Sequence, residues 1–311
     1  MPGLALFDRR LLIVTGKGGV GKSTVCAALA LLASRAGKRV LVCEVNARER
    51  VAPLLGSPPA GPSAREALPL LYTVNVRPRD AMREYGLMVL KFRSIYDAVF
   101  ENRVVRFFLR AIPSLAELVM LGKILHEVRV EEGERPRWDL VVLDAPATGH
   151  AVQLLRVPAT LLDTIAPGPL RRDARWMNDL LVDPRITALS IVTLPEEMPV
   201  NEAIELDSAV RDVLGIHRGA LIVNAMPDAR FTEEERRRLS GLTGAPPPLG
   251  PAARAAVLQA ARAEQAGRYL ARARAALDLP TVLVPLLARD PWDRGAVEDV
   301  AAALEKGLVA L

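Results

Sequence analysis

Cysteine, histidine and aromatic residues are scarce in this sequence of 311 residues. There are two cysteines, Cys26 and Cys43, three histidines, and 4% aromatic residues. Two cysteines that lie in separate apolar runs exclude a disulfide framework and a CxxC zinc site. We expect both cysteines to be small buried residues.

Positive charge is in excess, but it is not concentrated. The formal net charge is +5, and basic clusters contain acidic neighbours, as at residues 230–238, where Glu233, Glu234 and Glu235 lie among arginines. A nucleic-acid-binding surface is typically a basic stripe, often interleaved with aromatic residues, and no such stripe occurs here. The pattern is typical of a solvated surface and predicts no nucleic-acid partner.

Long hydrophobic runs are also missing. A membrane-spanning helix needs about eighteen or more predominantly apolar residues, and charged residues interrupt each candidate. Residues 1–10 are too few and become charged too early for a secretory signal peptide. The sequence therefore predicts a cytoplasmic protein without membrane insertion.

Buried strands alternate with helices along the chain. Continuous apolar runs predict strands covered on both faces, as in a parallel sheet. They occupy residues 11–15, 40–43, 140–143, 191–193, 221–223 and 281–284, and helical patterns occupy residues 23–36, 200–213, 252–277 and 298–308. The alternation predicts an α/β fold with a doubly wound, mostly parallel sheet, and one domain over residues 1–311.

Two stretches do not fit this alternation. Apolar residues recur at helical spacing across approximately 80–130, and a shorter helical pattern covers approximately 159–188. We interpret both as helical insertions, the first of which forms a helical subdomain. Residues 56–69 and 243–251 are rich in Pro, Gly and Ala, which predicts loops.

A glycine-rich segment follows the first predicted strand and matches the pattern GxxxxGK[ST]. It consists of Gly16, Lys17, Gly18, Gly19, Val20, Gly21, Lys22, Ser23 and Thr24. Glycines let successive backbone N–H groups turn towards phosphate oxygens, and the following helix N-terminus adds a positive dipole. The pattern predicts a phosphate-binding loop (P-loop) for ATP with Mg²⁺. In such a loop Lys22 reaches the β- and γ-phosphates, and the Ser23 hydroxyl coordinates the metal.

Asp144 ends the predicted strand at residues 140–143. A carboxylate in this position, called the Walker B position, is held near Mg²⁺ and its waters in P-loop proteins. We therefore predict that Asp144 is both a catalytic residue and a residue of the metal site.

The segment after Asp144 resembles a known family. Residues 144–150, Asp-Ala-Pro-Ala-Thr-Gly-His, resemble switch II of the ArsA arsenical-pump and tail-anchored-protein-targeting ATPases, with one residue fewer between Asp and Pro. Further segments resemble the family in the same order, at residues 112–117, 154–158, 193–196, 223–227 and 284–286. The resemblance covers most of the chain and implies a P-loop ATPase with a helical subdomain above the nucleotide site.

The resemblance also implies roles for three more residues. Lys17, directly after the first glycine, marks a deviant P-loop in which this lysine reaches the phosphates of the opposing subunit. It implies a catalytic Lys17 in a homodimer, or in a heterodimer with a related ATPase. Asn224 resembles a family residue that contacts the adenine base, and Pro285 resembles one in the loop that closes over the base. The resemblance therefore implies that both bind the nucleotide.

Asn46 departs from the family pattern. It stands where the family carries the switch I Asp that orients the attacking water. An Asn accepts a hydrogen bond from water but cannot take its proton, so we predict slow hydrolysis with Asn46 at the catalytic position. Glu44 or Glu49 are candidate substitutes, and the alternative is that both are ordinary charged residues.

Two further departures concern the client. An arsenite sensor needs a cluster of soft thiolates, which two separate cysteines do not provide. The tail-anchor receptors use long Met-rich helices and often a CxxC zinc clasp, whereas this chain has seven Met and no CxxC. Neither function is predicted.

The leading hypothesis is a dimeric ArsA-like ATPase whose ATP-dependent conformation controls an unidentified protein client. A second hypothesis, motivated by Asn46, is a nucleotide-binding regulatory subunit with little activity that pairs with a related active chain. A third is a partitioning ATPase of the MinD/ParA type, which shares the Lys17 loop. Residues 301–311 offer neither an amphipathic membrane helix nor a basic face, and this disfavours the third hypothesis.

Overall fold

The computed structural model describes residues 5–90 and 114–309. A large part of the first predicted helical insertion, residues 91–113, lies outside the described residues. So do the apolar residues Ile95, Val99, Val104, Phe107 and Phe108, which recur at helical spacing in that insertion, and the first two residues of the family-like segment at residues 112–117.

The centre of the fold is an eight-stranded sheet in the spatial order β10-β9-β8-β1-β7-β2-β4-β3. Adjacent strands pair in parallel except β3 with β4. The strands are β1 Leu11–Gly16, β2 Val40–Val45, β3 Arg65–Leu68, β4 Leu71–Val76, β7 Leu140–Ala147, β8 Thr187–Thr193, β9 Arg218–Met226 and β10 Thr281–Pro285. A separate two-stranded ribbon is formed by β5 Glu131–Glu132 and β6 Arg135–Pro136.

Helices cover both faces of this sheet. They are α1 Lys22–Arg35, α2 Val51–Leu54, α3 Pro78–Leu90, α4 Leu115–Arg129, α5 Thr148–Thr164, α6 Pro169–Val182, α7 Glu197–Ala209, α8 Glu233–Gly241, α9 Leu249–Leu277 and α10 Arg294–Val309. A short 3-10 helix, Ala5–Asp8, precedes β1, and a π-helical turn, Val210–Leu214, continues α7. The predicted helices at residues 23–36, 200–213, 252–277 and 298–308 are confirmed, with shifted ends.

Alternate residues of the strands point to opposite faces of the sheet and pack into two separate hydrophobic cores. Leu12 and Val14 of β1 pack with α1 and α10 in one core. Leu11 and Ile13 face the other core, which is built with α4, α5, α6 and α7. The strands β1, β2 and β8 are buried along their whole length, as expected of parallel strands covered on both faces. The predicted doubly wound α/β fold is confirmed.

Two strands of the main sheet, and both strands of the ribbon, lie where the sequence did not predict strands. The antiparallel edge strand β3 lies within the predicted loop at residues 56–69. The strand β4 carries the polar residues Tyr72, Thr73 and Asn75, so it lacks the continuous apolar run that marks the other parallel strands. Thr73 and Asn75 are nevertheless buried, because β4 lies between β2 and β3.

Helices occupy the described ends of the first predicted insertion and most of the second. The first contains α3 and α4, and the second is covered by the end of α5 and by α6, with β8 starting at Thr187. Within residues 5–90 and 114–309, no helix is both long enough and apolar enough to cross a membrane. Cys26 and Cys43 are both buried, which confirms their predicted structural role.

Candidate functional site

The predicted P-loop connects the central strand β1 to helix α1 at the carboxyl edge of the sheet. Gly16 ends β1 with φ 151°, and a Cβ there would lie 2.0 Å from the Val192 carbonyl oxygen. Gly21 has φ 93°, and its Cβ would lie 2.3 Å from Asn224 Nδ2. Both positions therefore require glycine. Around Gly18 and Gly19, no described residue other than the chain neighbours has an atom within 4 Å of an added Cβ, so this side of the loop is open to a ligand.

Lys22 lies across this loop. Its Nζ donates hydrogen bonds to the carbonyl oxygens of Gly16 at 3.1 Å and Lys17 at 2.9 Å. Burial lowers the pKa of Lys22, and the nearby Asp144 carboxylate opposes that change. The ammonium group is thus held at the loop by neutral carbonyls, in a place where an anionic ligand would stabilise its charge.

Asp144 lies beside the first turn of α1. The Ser23 hydroxyl donates a hydrogen bond of 2.6 Å to Asp144 Oδ2, whereas no group of the described residues forms a hydrogen bond with the buried Oδ1. Burial raises the pKa of Asp144, and the Ser23 hydrogen bond, the Lys22 charge and the nearby Cys26 thiol oppose this increase. Hydroxyl and carboxylate oxygens suit Mg²⁺, so these two residues fit the magnesium that a P-loop site requires.

Lys17 is oriented towards its own chain in this structure. Its ammonium group forms an ion pair with Glu202 of α7, and the second Glu202 oxygen accepts a hydrogen bond from Thr148 Oγ1 at 3.0 Å. The hydrogen bond from Lys17 lowers the pKa of Glu202. This cluster connects the P-loop to the start of α5, which carries the Thr-Gly-His segment, and to α7.

Asn46 follows β2 with a left-handed backbone, φ 46°, which Asn tolerates better than most residues. Its backbone N–H donates to the Val76 carbonyl at 2.9 Å, and its side chain is exposed. Both Glu49 oxygens accept hydrogen bonds from the backbone amides of Ala60 and Gly61. Glu49 therefore holds a neighbouring loop in place, and its oxygens are already occupied.

Glu44 lies on β2 directly opposite Asp144 on β7. It is 2% exposed, and its Oε1 accepts hydrogen bonds from the backbone N–H of Arg50 at 2.7 Å and of Val51 at 3.4 Å. Burial raises the pKa of Glu44 to about 7, against these backbone hydrogen bonds and with a smaller contribution from Asp144. The buried Glu44 and the half-buried Asp144 thus lie on adjacent strands at the edge of the P-loop site.

The two residues expected to contact the base lie at the carboxyl ends of β9 and β10. The Asn224 amide donates a hydrogen bond of 2.9 Å to the Val20 carbonyl of the P-loop. Pro285 pairs in register with Met226, and the Leu286 N–H donates to the Met226 carbonyl at 2.9 Å. Val20 is buried, and Thr24 lies in the first turn of α1.

The structure brings together part of the predicted set by direct contacts: Gly16, Lys17, Val20, Gly21, Lys22, Ser23, Asp144 and Asn224. Among the described residues, no hydrogen bond joins Asn46 or Pro285 to the P-loop. One residue that contacts this site, Thr15, was not predicted from the sequence. Its hydroxyl donates to the Pro146 carbonyl at 3.0 Å and ties β1 to the segment after Asp144. Thr15 directly precedes the P-loop in the sequence, but its hydrogen-bond partner is 131 residues away, so no local pattern connects the two.

A parallel sheet with a P-loop after its central strand, and a carboxylate on the neighbouring strand, defines a P-loop nucleotide-binding protein. The family model described as anion-transporting ATPase, ArsA, matches residues 9–166. This chain belongs to that family.

Relatives agree with this assignment. ATPase BagA of Mycobacterium tuberculosis is 30% identical over 95% of this chain and 92% of its own length. The arsenical pump-driving ATPase of Escherichia coli is 30% identical over 71% of this chain and 35% of its own length. A protein of the same name from Acidiphilium multivorum is 28% identical over the same shares. The predicted family resemblance is confirmed, and with it the general class of ATPase.

Proposed function

We propose that this protein binds ATP with Mg²⁺ at residues 16–24 and hydrolyses it slowly to ADP and phosphate. The observation that carries the proposal is the Ser23–Asp144 pair near Lys22 and the open face of the loop. Its second carboxylate oxygen is buried and has no hydrogen-bond partner within residues 5–90 and 114–309. A buried carboxylate oxygen without a partner is costly unless a ligand completes it.

The residues of this site divide the work of phosphoryl transfer. Lys22 and the loop N–H groups bind the phosphates, Ser23 and Asp144 hold Mg²⁺, and Asn224 and Pro285 bind the nucleotide near its base. When bound there, Mg²⁺ would supply positive charge that offsets the negative charge of the phosphates. Asn46 orients the attacking water without accepting its proton, and hydrolysis is therefore slow.

Lys17 gives the reason for proposing a dimer. In this structure its partner is Glu202, and this contact also engages Thr148. We propose that Lys17 leaves Glu202 when two ATP-bound chains meet and then contacts the phosphates of the opposing subunit, either a second copy or a related ATPase. The Thr148 segment and α7 lose a contact in that step, and this change is transmitted to a protein client.

The client is a protein rather than arsenite in this proposal. Two relatives are named arsenical pump-driving ATPases. Soft thiolates are the expected ligands of a soft metalloid, and Cys26 and Cys43 are both fully buried, on α1 and β2. We propose that the ATPase acts in the cytoplasm as one domain over residues 1–311, with helical insertions at approximately 80–130 and 159–188.

Nucleotide titration tests the binding step. Calorimetry with ATP and Mg²⁺ is expected to show saturable binding that weakens at least tenfold in Lys22→Ala, because the lysine charge is removed from the phosphate site. Equal binding by the two proteins, or no binding by either, would contradict the proposal.

The regulatory subunit is the second candidate, and the exposed Asn46 at the switch I position favours it. In that case the chain binds ATP but turns over only when it is paired with a related chain. The two candidates differ in the activity of the isolated protein, and both require the same P-loop.

A further inference from the structure

Arg50 lies at the edge of the candidate ATP site, immediately before α2. Its backbone N–H is bound to Glu44 Oε1 at 2.7 Å, and Glu44 lies in register with Asp144 on the adjacent strand. Glu44 is 2% exposed, so the acceptor itself is fixed in the sheet. The backbone of Arg50 is therefore held next to the carboxylate that we assign to Mg²⁺.

The positive charge of Arg50 acts on the site itself. Burial lowers the pKa of Lys22, and the Arg50 charge lowers it further. Burial raises the pKa of Asp144, and the Arg50 charge is one of the effects that oppose this increase. The charge of one arginine thus acts on both the phosphate-binding lysine and the metal-site aspartate.

Arg50 has no carboxylate partner in the part of the chain that the structure describes, and its side chain is exposed. Three of the other cations near the site already have polar partners. Lys17 is paired with Glu202, Lys22 donates to two loop carbonyls, and Arg77 lies 3.6 Å from Glu49. The Arg50 charge is thus available for an anion that binds at the loop.

We propose that the Arg50 guanidinium contacts the γ-phosphate of ATP bound in its own chain and stabilises the negative charge that develops as the bond to the β-phosphate breaks. A planar guanidinium presents paired N–H donors that match phosphate oxygens. Charge stabilisation of this kind is the main contribution a protein makes to phosphoryl transfer. The inference deepens the proposed ATPase function and rests on it.

The test compares nucleotides that differ by the γ-phosphate. Dissociation constants for a non-hydrolysable ATP analogue and for ADP, each with Mg²⁺, are measured for the wild type, Arg50→Ala, Arg50→Lys and Arg48→Ala. Arg50→Ala is expected to weaken binding of the ATP analogue at least tenfold and binding of ADP less than twofold, because only the analogue carries a γ-phosphate. Arg50→Lys keeps the charge and loses the paired donors. Its affinity for the ATP analogue is therefore expected to lie between those of the wild type and Arg50→Ala.

Arg48→Ala is the matched control, since Arg48 is an exposed arginine two residues away in the same segment. It is expected to bind both nucleotides as the wild type does. The substitutions leave the backbone N–H that binds Glu44 in place, and thermal unfolding checks that Arg50→Ala remains folded.

The outcomes separate this inference from the proposed function. If the wild type binds the ATP analogue and Lys22→Ala does not, while Arg50→Ala binds it as the wild type does, the role of Arg50 is wrong and the ATP site stands. Equal loss of ADP and analogue affinity in Arg50→Ala also overturns the inference, because it shows a structural effect. If the wild type binds neither nucleotide, the proposed function itself is wrong.

Discussion

The Ser23 hydroxyl lies 2.6 Å from Asp144 Oδ2, and this contact joins the first turn of the P-loop helix to the neighbouring strand of the sheet. The other Asp144 oxygen is buried, and it forms no hydrogen bond with the part of the chain that the structure describes. The apo protein therefore keeps a carboxylate in a place that disfavours its charge, and a divalent cation would relieve that cost. The charged Asp144 carboxylate thus lowers the stability of the ligand-free protein, although Mg²⁺ binding requires it.

Asp144→Asn is the corresponding prediction. The amide keeps an oxygen that accepts from Ser23 but removes the buried charge, so the apo variant is expected to be as stable as the wild type or more stable by about 1 kcal/mol. Its apparent affinity for Mg²⁺ in the presence of ATP is expected to fall at least tenfold. Thermal unfolding without ligand and Mg²⁺ titration of hydrolysis measure the two effects. A destabilised variant with unchanged Mg²⁺ dependence would contradict the assignment.

Lys17→Ala separates stability from assembly. The Lys17 and Glu202 side chains are each 28% exposed, and ion pairs of this kind contribute at most about 1 kcal/mol to folding. The expected change in unfolding free energy is therefore small. The nucleotide-dependent increase in mass, measured by light scattering with a non-hydrolysable ATP analogue, is expected to disappear. A variant that still dimerises with the analogue would show that Lys17 does not act across the interface.

Asn46→Asp tests the predicted slow hydrolysis. Asp tolerates the left-handed backbone at this position about as well as Asn, so the fold is expected to be unchanged. Turnover is expected to rise several-fold, since a carboxylate can also take a proton from the attacking water. Unchanged turnover would remove the reason for expecting slow hydrolysis and the premise of the regulatory-subunit hypothesis.

The raised pKa of Glu44 predicts that the stability of the folded protein depends on pH. The pKa of Glu44 in the folded protein is about 7, above its ordinary value of 4.5. Between these values the folded state binds a proton that the unfolded state does not bind, so stability falls as pH rises through this window. Glu44→Gln keeps an acceptor for the Arg50 N–H and removes the titration.

Urea unfolding at pH 5 and pH 7.5 measures this effect. Relative to Glu44→Gln, the wild type is expected to lose about 2 to 3 kcal/mol of stability over that range. An equal pH dependence in the two proteins would show that Glu44 titrates at its ordinary pKa when folded.

The sequence predicted the parts of the fold that depend on local pattern. The P-loop lies between β1 and α1 as its spacing required, and the apolar runs around residues 11–15 and 140–143 became neighbouring strands. The strand β4 escaped prediction because its polar residues are buried through pairing with β2 and β3, which no local pattern reveals.

Side-chain partners were the least predictable part of the site. Glu202 is 185 residues from Lys17, and the sequence alone gave no reason to pair them. Glu44 could be considered as a substitute for the missing switch I Asp, but its contact with the Arg50 backbone depends on the turn between β2 and α2. Such contacts follow from tertiary packing, so the structure was needed to find them.

Steady-state release of phosphate from ATP is the measurement that tests the central claim most directly. It is made with the purified full chain in Mg²⁺, with EDTA as the metal-free control and Lys22→Ala as the site control. We predict slow release by the wild type that depends on Mg²⁺ and falls at least a hundredfold in Lys22→Ala, because the lysine charge is lost from the phosphates. Release at the same rate by wild type and Lys22→Ala would contradict the claim that this loop is the site of ATP hydrolysis.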